Sequence, residues 1–146
     1  MKIYVAVNVK TKKILSINVT DEHIQDSKAL PELINNVIKS DNIISIGKLF
    51  DDGAYDNNDI FRFLSDNRFL PWFKVRKNAR VRWRKGHILR NLSVASQRND
   101  LQRWIVETVF SCLKRRFGEY VYSIKLKNMI QEMMLKVSLY NKLISV

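Results

Sequence analysis

The sequence predicts an α/β fold in which helices cover a mixed β-sheet. Segments rich in Ile and Val alternate with segments of helical periodicity, in the order β-β-α-β-α-β-α-α. Nearly half of the 146 residues are hydrophobic and only two are proline, so the chain can form a buried core. The length fits a single domain, and the prediction is therefore one α/β unit over residues 1–146.

Each element follows from a local pattern. The predicted elements are strands over 2–9 and 13–19, a helix over 23–39, a strand over 43–50, a helix capped at 57–59 and running to about 67, a strand over 70–75, and helices over 96–117 and 125–144. The four residues 10–13 between the first two strands predict a β-hairpin turn. Pro31 predicts a break or a new first turn in the first helix, and Gly118 predicts the end of the third.

The positive charge lies almost wholly in the second half of the chain. The net charge is +12, but residues 1–68 hold 9 Lys/Arg against 10 Asp/Glu, whereas residues 69–146 hold 17 against 4. No acidic residue occurs between Phe69 and Arg98. A segment of one sign attracts phosphates, and no basic amphipathic helix suggests a membrane surface instead. The charge distribution predicts a nucleic-acid partner.

Cysteine content and hydropathy indicate the cellular compartment in which the protein is expected. Cys112 is the single cysteine, which excludes an internal disulfide framework and fits a reducing environment. No stretch approaches the 18 or more apolar residues of a membrane span. His23 and His87 lie far apart in the sequence and have no cysteine neighbours, so the sequence does not predict a zinc site. We expect a soluble, cytoplasmic protein without a membrane partner.

Three charged residues of the third predicted helix are spaced to share one stripe. Arg103, Glu107 and Lys114 form the pattern R-x3-E-x6-K. At about 100° per residue, Glu107 lies roughly 40° and Lys114 roughly 20° from Arg103. An apolar arc that can face a core is formed by Ile105, Val106, Val109, Cys112 and Leu113. The stripe fits either a site for metal and phosphate or an exposed ladder of salt bridges.

A second acidic motif ends the predicted strand over 43–50. Asp51-Asp52-Gly53 follows the apolar run directly. Functional carboxylates collect where strands of α/β sheets open into loops, although Asp and Gly are also ordinary turn residues. If Asp52 and Glu107 converge, their oxygens suit Mg²⁺ or Mn²⁺, which can assist phosphoryl transfer.

These two motifs carry a family resemblance. The stretch F-D-D-G-A-Y-D at 50–56, followed by R-x3-E-x6-K at 103–114, resembles the DDE transposases of prokaryotic insertion sequences. The opening residues 2–27 also resemble the second and third strands and the following helix of such a domain. The resemblance extends to about residue 143. It implies an RNase H-like catalytic domain that cleaves and joins DNA strands with Mg²⁺ or Mn²⁺.

The resemblance also implies roles for particular residues. Asp52 and Glu107 match the second and third catalytic carboxylates and would bind the metal, with Asp51 as the alternative to Asp52. Arg103 and Lys114 match the basic residues that contact DNA. The basic run lies where DNA would pass, and its predicted contacts are Lys74, Arg76, Lys77, Arg80, Arg82, Trp83, Arg84 and Lys85. Trp83 is expected either to stack on an unpaired base or to pack within the loop.

In the family, the first catalytic aspartate lies on a strand that is central in the sheet. The resemblance of this chain begins after that strand. We therefore expect an N-terminally truncated domain that lacks this strand and whose activity alone is in question. The expected partners are DNA, as transposon ends and target, and a full-length transposase or a second copy. A non-catalytic DNA-binding remnant or inhibitor is the alternative function. The expected location is the nucleoid-associated cytoplasm.

Overall fold

The computed structural model of the chain describes residues 1–41, 47–51, 57–73 and 104–145. Within these residues the predicted order of elements is observed. The elements are β1 Lys2–Val7, β2 Ile14–Thr20, α1 Asp26–Asp41, β3 Gly47–Asp51, α2 Asn58–Asp66, β4 Phe69–Phe73, α3 Trp104–Phe117 and α4 Leu126–Leu143. The mixed α/β class is thereby confirmed.

The first two strands form an antiparallel hairpin, as predicted. β1 and β2 pair from Lys2 with Thr20, and their register shifts between Ala6 and Val7. The Asn8 side chain organises the turn by accepting hydrogen bonds from the backbone N–H groups of Lys10 and Thr11 at 2.9 and 3.1 Å. Lys12 adopts a φ of 58° and donates its N–H to the Asn8 carbonyl at 2.7 Å, which closes the turn.

Helix α1 covers one face of the hairpin and also contacts α2. From that face Asn18 donates a side-chain hydrogen bond to Glu32 of α1 at 3.0 Å. The break predicted at Pro31 is wrong, because α1 continues through this residue to Asp41. Burial of Leu30, Leu33 and Ile34 around the proline supplies packing that offsets the hydrogen bond it cannot donate.

Strands β3 and β4 pair in parallel and are joined through α2. The Asn57 side chain caps α2 by accepting a hydrogen bond from the Asp59 N–H at 3.1 Å. Helices α1 and α2 share a buried cluster that consists of Leu30, Ile34, Ile60, Phe61 and Leu64. This cluster fixes the position of α2, which packs against β4.

Helices α3 and α4 pack on the opposite face of the hairpin from α1. Along each strand, residues that face α3 and α4 alternate with residues that face α1. The second buried cluster consists of Ile14, Val109, Leu113, Val137 and Tyr140, with Val5, Val7, Ile17, Cys112 and Phe117 packed against it. The hairpin is therefore the middle layer between α1 and the α3–α4 pair.

The described strands form two separate sheets of two strands each. One contains β1 and β2, and the other contains β3 and β4. Among the described residues no strand ladder joins the two pairs. The α/β layering agrees with the sequence prediction, whereas the described residues do not assemble one continuous mixed sheet.

Candidate catalytic and nucleic-acid site

Glu107 is exposed on α3, on the side away from the core. Ile105, Val109 and Leu113 of the same helix are buried, as the 3.6-residue period predicts. Within the described part of the chain, no hydrogen bond or ion pair engages the Glu107 carboxylate. Its oxygens are therefore accessible to a cation from solvent.

The beginning of α3 is tied to the hairpin turn. The Lys12 ammonium lies over the ring of Trp104, 5.7 Å from its centroid, where the negative face of the ring attracts it. Thr108 donates its hydroxyl to the Trp104 carbonyl at 2.9 Å. Together with the buried face of α3, the contact between Lys12 and Trp104 positions the start of this helix, and thereby the backbone of Glu107, against the hairpin.

Lys114 is exposed on α3 and forms an ion pair that the sequence pattern did not predict. Its ammonium lies 3.7 Å from the carboxylate of Glu119, beyond the end of the helix. Seven residues separate Lys114 from Glu107, which is about 10 Å along a helix axis. Both residues are described and no ion pair joins them, so Glu107 and Lys114 are not neighbouring steps of a salt-bridge ladder.

The carboxyl ends of the two parallel strands lie side by side. Asp51, the last residue of β3, is in register with Phe73, the last residue of β4. In the sequence Asp52 follows Asp51 directly, and the basic run begins with Lys74 directly after Phe73. The segments that carry the predicted carboxylate and the predicted DNA contacts therefore follow two strand ends that are paired with each other.

Most of the predicted site lies outside the described residues. The predicted residues concerned are Asp52, Arg103, Lys74, Arg76, Lys77, Arg80, Arg82, Trp83, Arg84 and Lys85. Of the predicted site residues only Glu107, Lys114 and the alternative carboxylate Asp51 are described, and their roles remain predictions. The described residues contain no group of three or more His, Cys, Asp or Glu side chains that could hold a metal ion by themselves.

Comparison with known proteins identifies the family. A family model described as the transposase DDE domain matches residues 1–142, nearly the whole chain. The chain belongs to the transposase DDE domain family. No curated protein and no solved structure matches it. The predicted resemblance is confirmed at the level of the family, and membership indicates a role in transposition.

The transposase domain also holds a polar cluster that sequence reasoning missed. On α4 the Glu132 carboxylate accepts hydrogen bonds from the N–H groups of Tyr122 and Ser123 at 3.1 Å and from the Ser123 hydroxyl at 2.9 Å. Lys136 lies 3.0 Å from the same carboxylate. The pKa of Glu132 is lowered to about 2, chiefly by the hydrogen bond from Lys136 and then by the Ser123 and backbone donors. The only sequence signal was the i, i+4 spacing of Glu132 and Lys136.

No described helix of the transposase domain is both long enough and apolar enough to cross a membrane.

Proposed function

We propose that this chain contributes metal-dependent phosphoryl transfer on DNA, as part of an RNase H-like DDE transposase domain. The substrate is a DNA phosphodiester, which is attacked by water in cleavage and by a 3′-hydroxyl in strand joining. Glu107 and Asp52 are the proposed carboxylates, with Asp51 as the alternative to Asp52. The observation that carries the proposal is the family match over residues 1–142 together with an accessible Glu107 on a helix fixed to the hairpin.

The donor chemistry of Glu107 fits a divalent cation. Mg²⁺ and Mn²⁺ prefer carboxylate oxygens, and Glu107 has two that no described side chain occupies. A bound ion of this kind supplies electrostatic stabilisation to the phosphoryl oxygens. Glu107 would supply carboxylate oxygens to the ion from a helix whose other face is packed against the hairpin.

The neighbouring ends of β3 and β4 support a common location for carboxylate and DNA contacts. Asp51 and Phe73 are in register, so the residues that follow them in sequence start from adjacent backbone positions. We propose that Asp52 binds the metal and that the basic residues 74–85 bind the DNA backbone nearby. Arg103, which precedes α3 in the sequence, and Lys114 on α3 would bind further phosphates. Ligands commonly bind at the carboxyl ends of parallel strands.

A measurement of Mn²⁺ binding and DNA cleavage tests this assignment. Glu107→Gln and Asp52→Asn remove one negative charge each with little change in size, so both should weaken Mn²⁺ binding and abolish metal-dependent nicking. Glu32→Gln is the matched control, since Glu32 is exposed on α1 and its amide analogue can still accept the hydrogen bond from Asn18. If both site variants bound Mn²⁺ with wild-type affinity, neither Glu107 nor Asp52 would be a metal ligand.

The alternative is a non-catalytic DNA-binding protein that associates with a full-length transposase. The excess of Lys and Arg in residues 69–146 supports it, because this charge attracts DNA whether or not the chain is catalytic. Such a protein would bind DNA equally well in EDTA and in Mg²⁺, and Glu107→Gln would not alter its binding. Metal-dependent cleavage by the chain alone would exclude this alternative.

A further inference from the structure

The connection between α3 and α4 exposes three large side chains in alternation. Tyr120, Tyr122 and Ile124 are 73%, 82% and 90% exposed. Gly118 ends α3 with a φ of 81° and donates its N–H to the Lys114 carbonyl at 2.9 Å. Single exposed apolar residues are common on protein surfaces, but three such exposed side chains on one short segment are available together for contact with a partner. We call residues 118–125 the display loop.

The display loop is held rigidly although its side chains are exposed. Besides the bonds from Tyr122 and Ser123 to Glu132, the Lys136 ammonium donates to the Tyr120 carbonyl at 2.8 Å. The Glu132 and Lys136 side chains are themselves largely buried. The backbone is thus ordered before any partner arrives, which lowers the entropic cost of binding through this loop.

Lys136 also orients one of the exposed rings. Its ammonium lies over the ring of Tyr122, 6.0 Å from the centroid. One side of the ring therefore contacts the cation, while most of the ring surface stays open to solvent. A planar ring that is exposed in this way can stack on another planar group.

The surroundings of the display loop are strongly basic. Residues 114–127 contain five Lys/Arg and one Glu, and that Glu119 is paired with Lys114. The remaining cations, all exposed, are Arg115, Arg116, Lys125 and Lys127. Lys125 and Lys127 lie at the beginning of α4, where the helix dipole is also positive and no acidic residue occurs in the first turn. Arg115 and Arg116 complement the dipole in the last turn of α3, whereas Lys125 and Lys127 gain nothing from the dipole of α4. All four exposed cations can attract a polyanion.

We propose that the display loop and its flanking cations form a second DNA contact, one that binds unpaired nucleotides. Tyr120 and Tyr122 stack on bases, and Arg115, Arg116, Lys125 and Lys127 bind phosphates. Aromatic rings reach bases where they are unstacked, which favours single-stranded over duplex DNA. The loop begins 11 residues after Glu107, which corresponds to about 16 Å along the axis of α3. One strand of B-form DNA covers this distance with roughly five nucleotides. This inference rests on the proposed action on DNA and adds a contact away from the carboxylates.

Fluorescence anisotropy in EDTA tests the inference independently of metal chemistry. The probes are a fluorescein-labelled single-stranded 20-mer and its duplex, at several salt concentrations. Tyr120→Ala/Tyr122→Ala removes two stacked bases, so it should weaken single-strand binding about 30-fold or more and leave its salt dependence unchanged. Tyr120→Phe/Tyr122→Phe keeps the rings and should bind like wild type. Arg115→Gln/Arg116→Gln should reduce the slope of log K against log salt by about 0.7 for each phosphate that the variant no longer neutralises.

The matched control is Leu135→Ala/Leu139→Ala, which removes two exposed apolar side chains from α4 outside the display loop. Wild-type affinity in the tyrosine-to-alanine variant, or an equal loss in the leucine control, would overturn the inference. So would a tyrosine variant that changes only self-association, since the loop would then bind protein. Wild-type chain that binds neither probe would overturn this inference together with the proposed action on DNA. An unaffected tyrosine variant beside a DNA-binding wild type would overturn this inference alone.

Discussion

The side-chain amide of Asn141 makes two hydrogen bonds to the backbone of a single residue, Ile14. The Ile14 N–H donates to Asn141 Oδ1 at 2.8 Å, and Asn141 Nδ2 donates to the Ile14 carbonyl at 2.7 Å. Asn141 therefore provides the donor and acceptor that a neighbouring strand would offer at the start of β2. This contact links α4 to the hairpin next to the register shift between Ala6 and Val7.

Asn141→Ala should destabilise the fold by about 2–4 kcal/mol, because it removes the hydrogen-bond acceptor and donor that Asn141 supplies to the backbone of the buried Ile14. Urea unfolding followed by far-UV circular dichroism measures the change. Asn36→Ala on the exposed side of α1 is the control and should stay within about 0.5 kcal/mol of wild type. A loss at Asn141 no larger than that of the control would mean that water satisfies Ile14 equally well.

Leucine truncations test whether the two buried clusters unfold together. Leu64 lies in the α1–α2 cluster and Leu113 in the cluster formed by the hairpin, α3 and α4. Each Leu→Ala change should cost about 2–5 kcal/mol. Because α1 contacts both the hairpin and α2, we expect one shared transition to shift in either variant. Calorimetry would contradict this if each variant shifted a different transition.

Glu132 should make stability depend on acid pH. Its pKa is about 2 in the folded protein and ordinarily 4.5, so the unfolded chain takes up the proton first as pH falls. The stabilisation is fully present above about pH 4.5 and is lost progressively down to about pH 2. Glu132→Gln should therefore have a lower Tm than wild type at neutral pH, with a difference that shrinks across this range. A constant difference from pH 7 to pH 2 would be inconsistent with the lowered pKa.

Glu107→Gln should leave the melting temperature unchanged. The residue is exposed, and within the described part of the chain its carboxylate makes no hydrogen bond or ion pair. A thermal melt in EDTA measures this directly. Loss of Mn²⁺ binding without loss of stability would separate a functional role from a structural one, whereas a marked drop in Tm would indicate a structural role.

The sequence predicted those features that depend on local periodicity. The burial of Ile105, Val109 and Leu113 follows from helical spacing alone, and so does the exposure of Glu107 on the other side. Chain order and strand patterns were likewise sufficient for the α/β class. Each of these depends on residues within a few positions of one another.

Features that depend on distant contacts were not predictable from pattern. Pro31 lies inside a continuous helix because tertiary packing outweighs its local preference. The Asn141–Ile14 contact spans 127 positions, which no local pattern reveals. The Glu132–Lys136 pair has the spacing of an ordinary exposed helix pair, and only the fold shows that it secures the display loop. The strand pairing into two sheets likewise depends on long-range contacts.

The pairing of Lys114 with Glu119 gives this cation an internal counterion. A DNA phosphate that binds Lys114 competes with the Glu119 carboxylate, which lies 3.7 Å from the ammonium. An ordinary exposed lysine releases a condensed salt ion from the DNA when it binds, and Lys114 in addition releases a carboxylate of its own chain. Glu119 belongs to the same chain, so it competes for Lys114 at every protein concentration, although an exposed pair of this kind contributes at most about 1 kcal/mol.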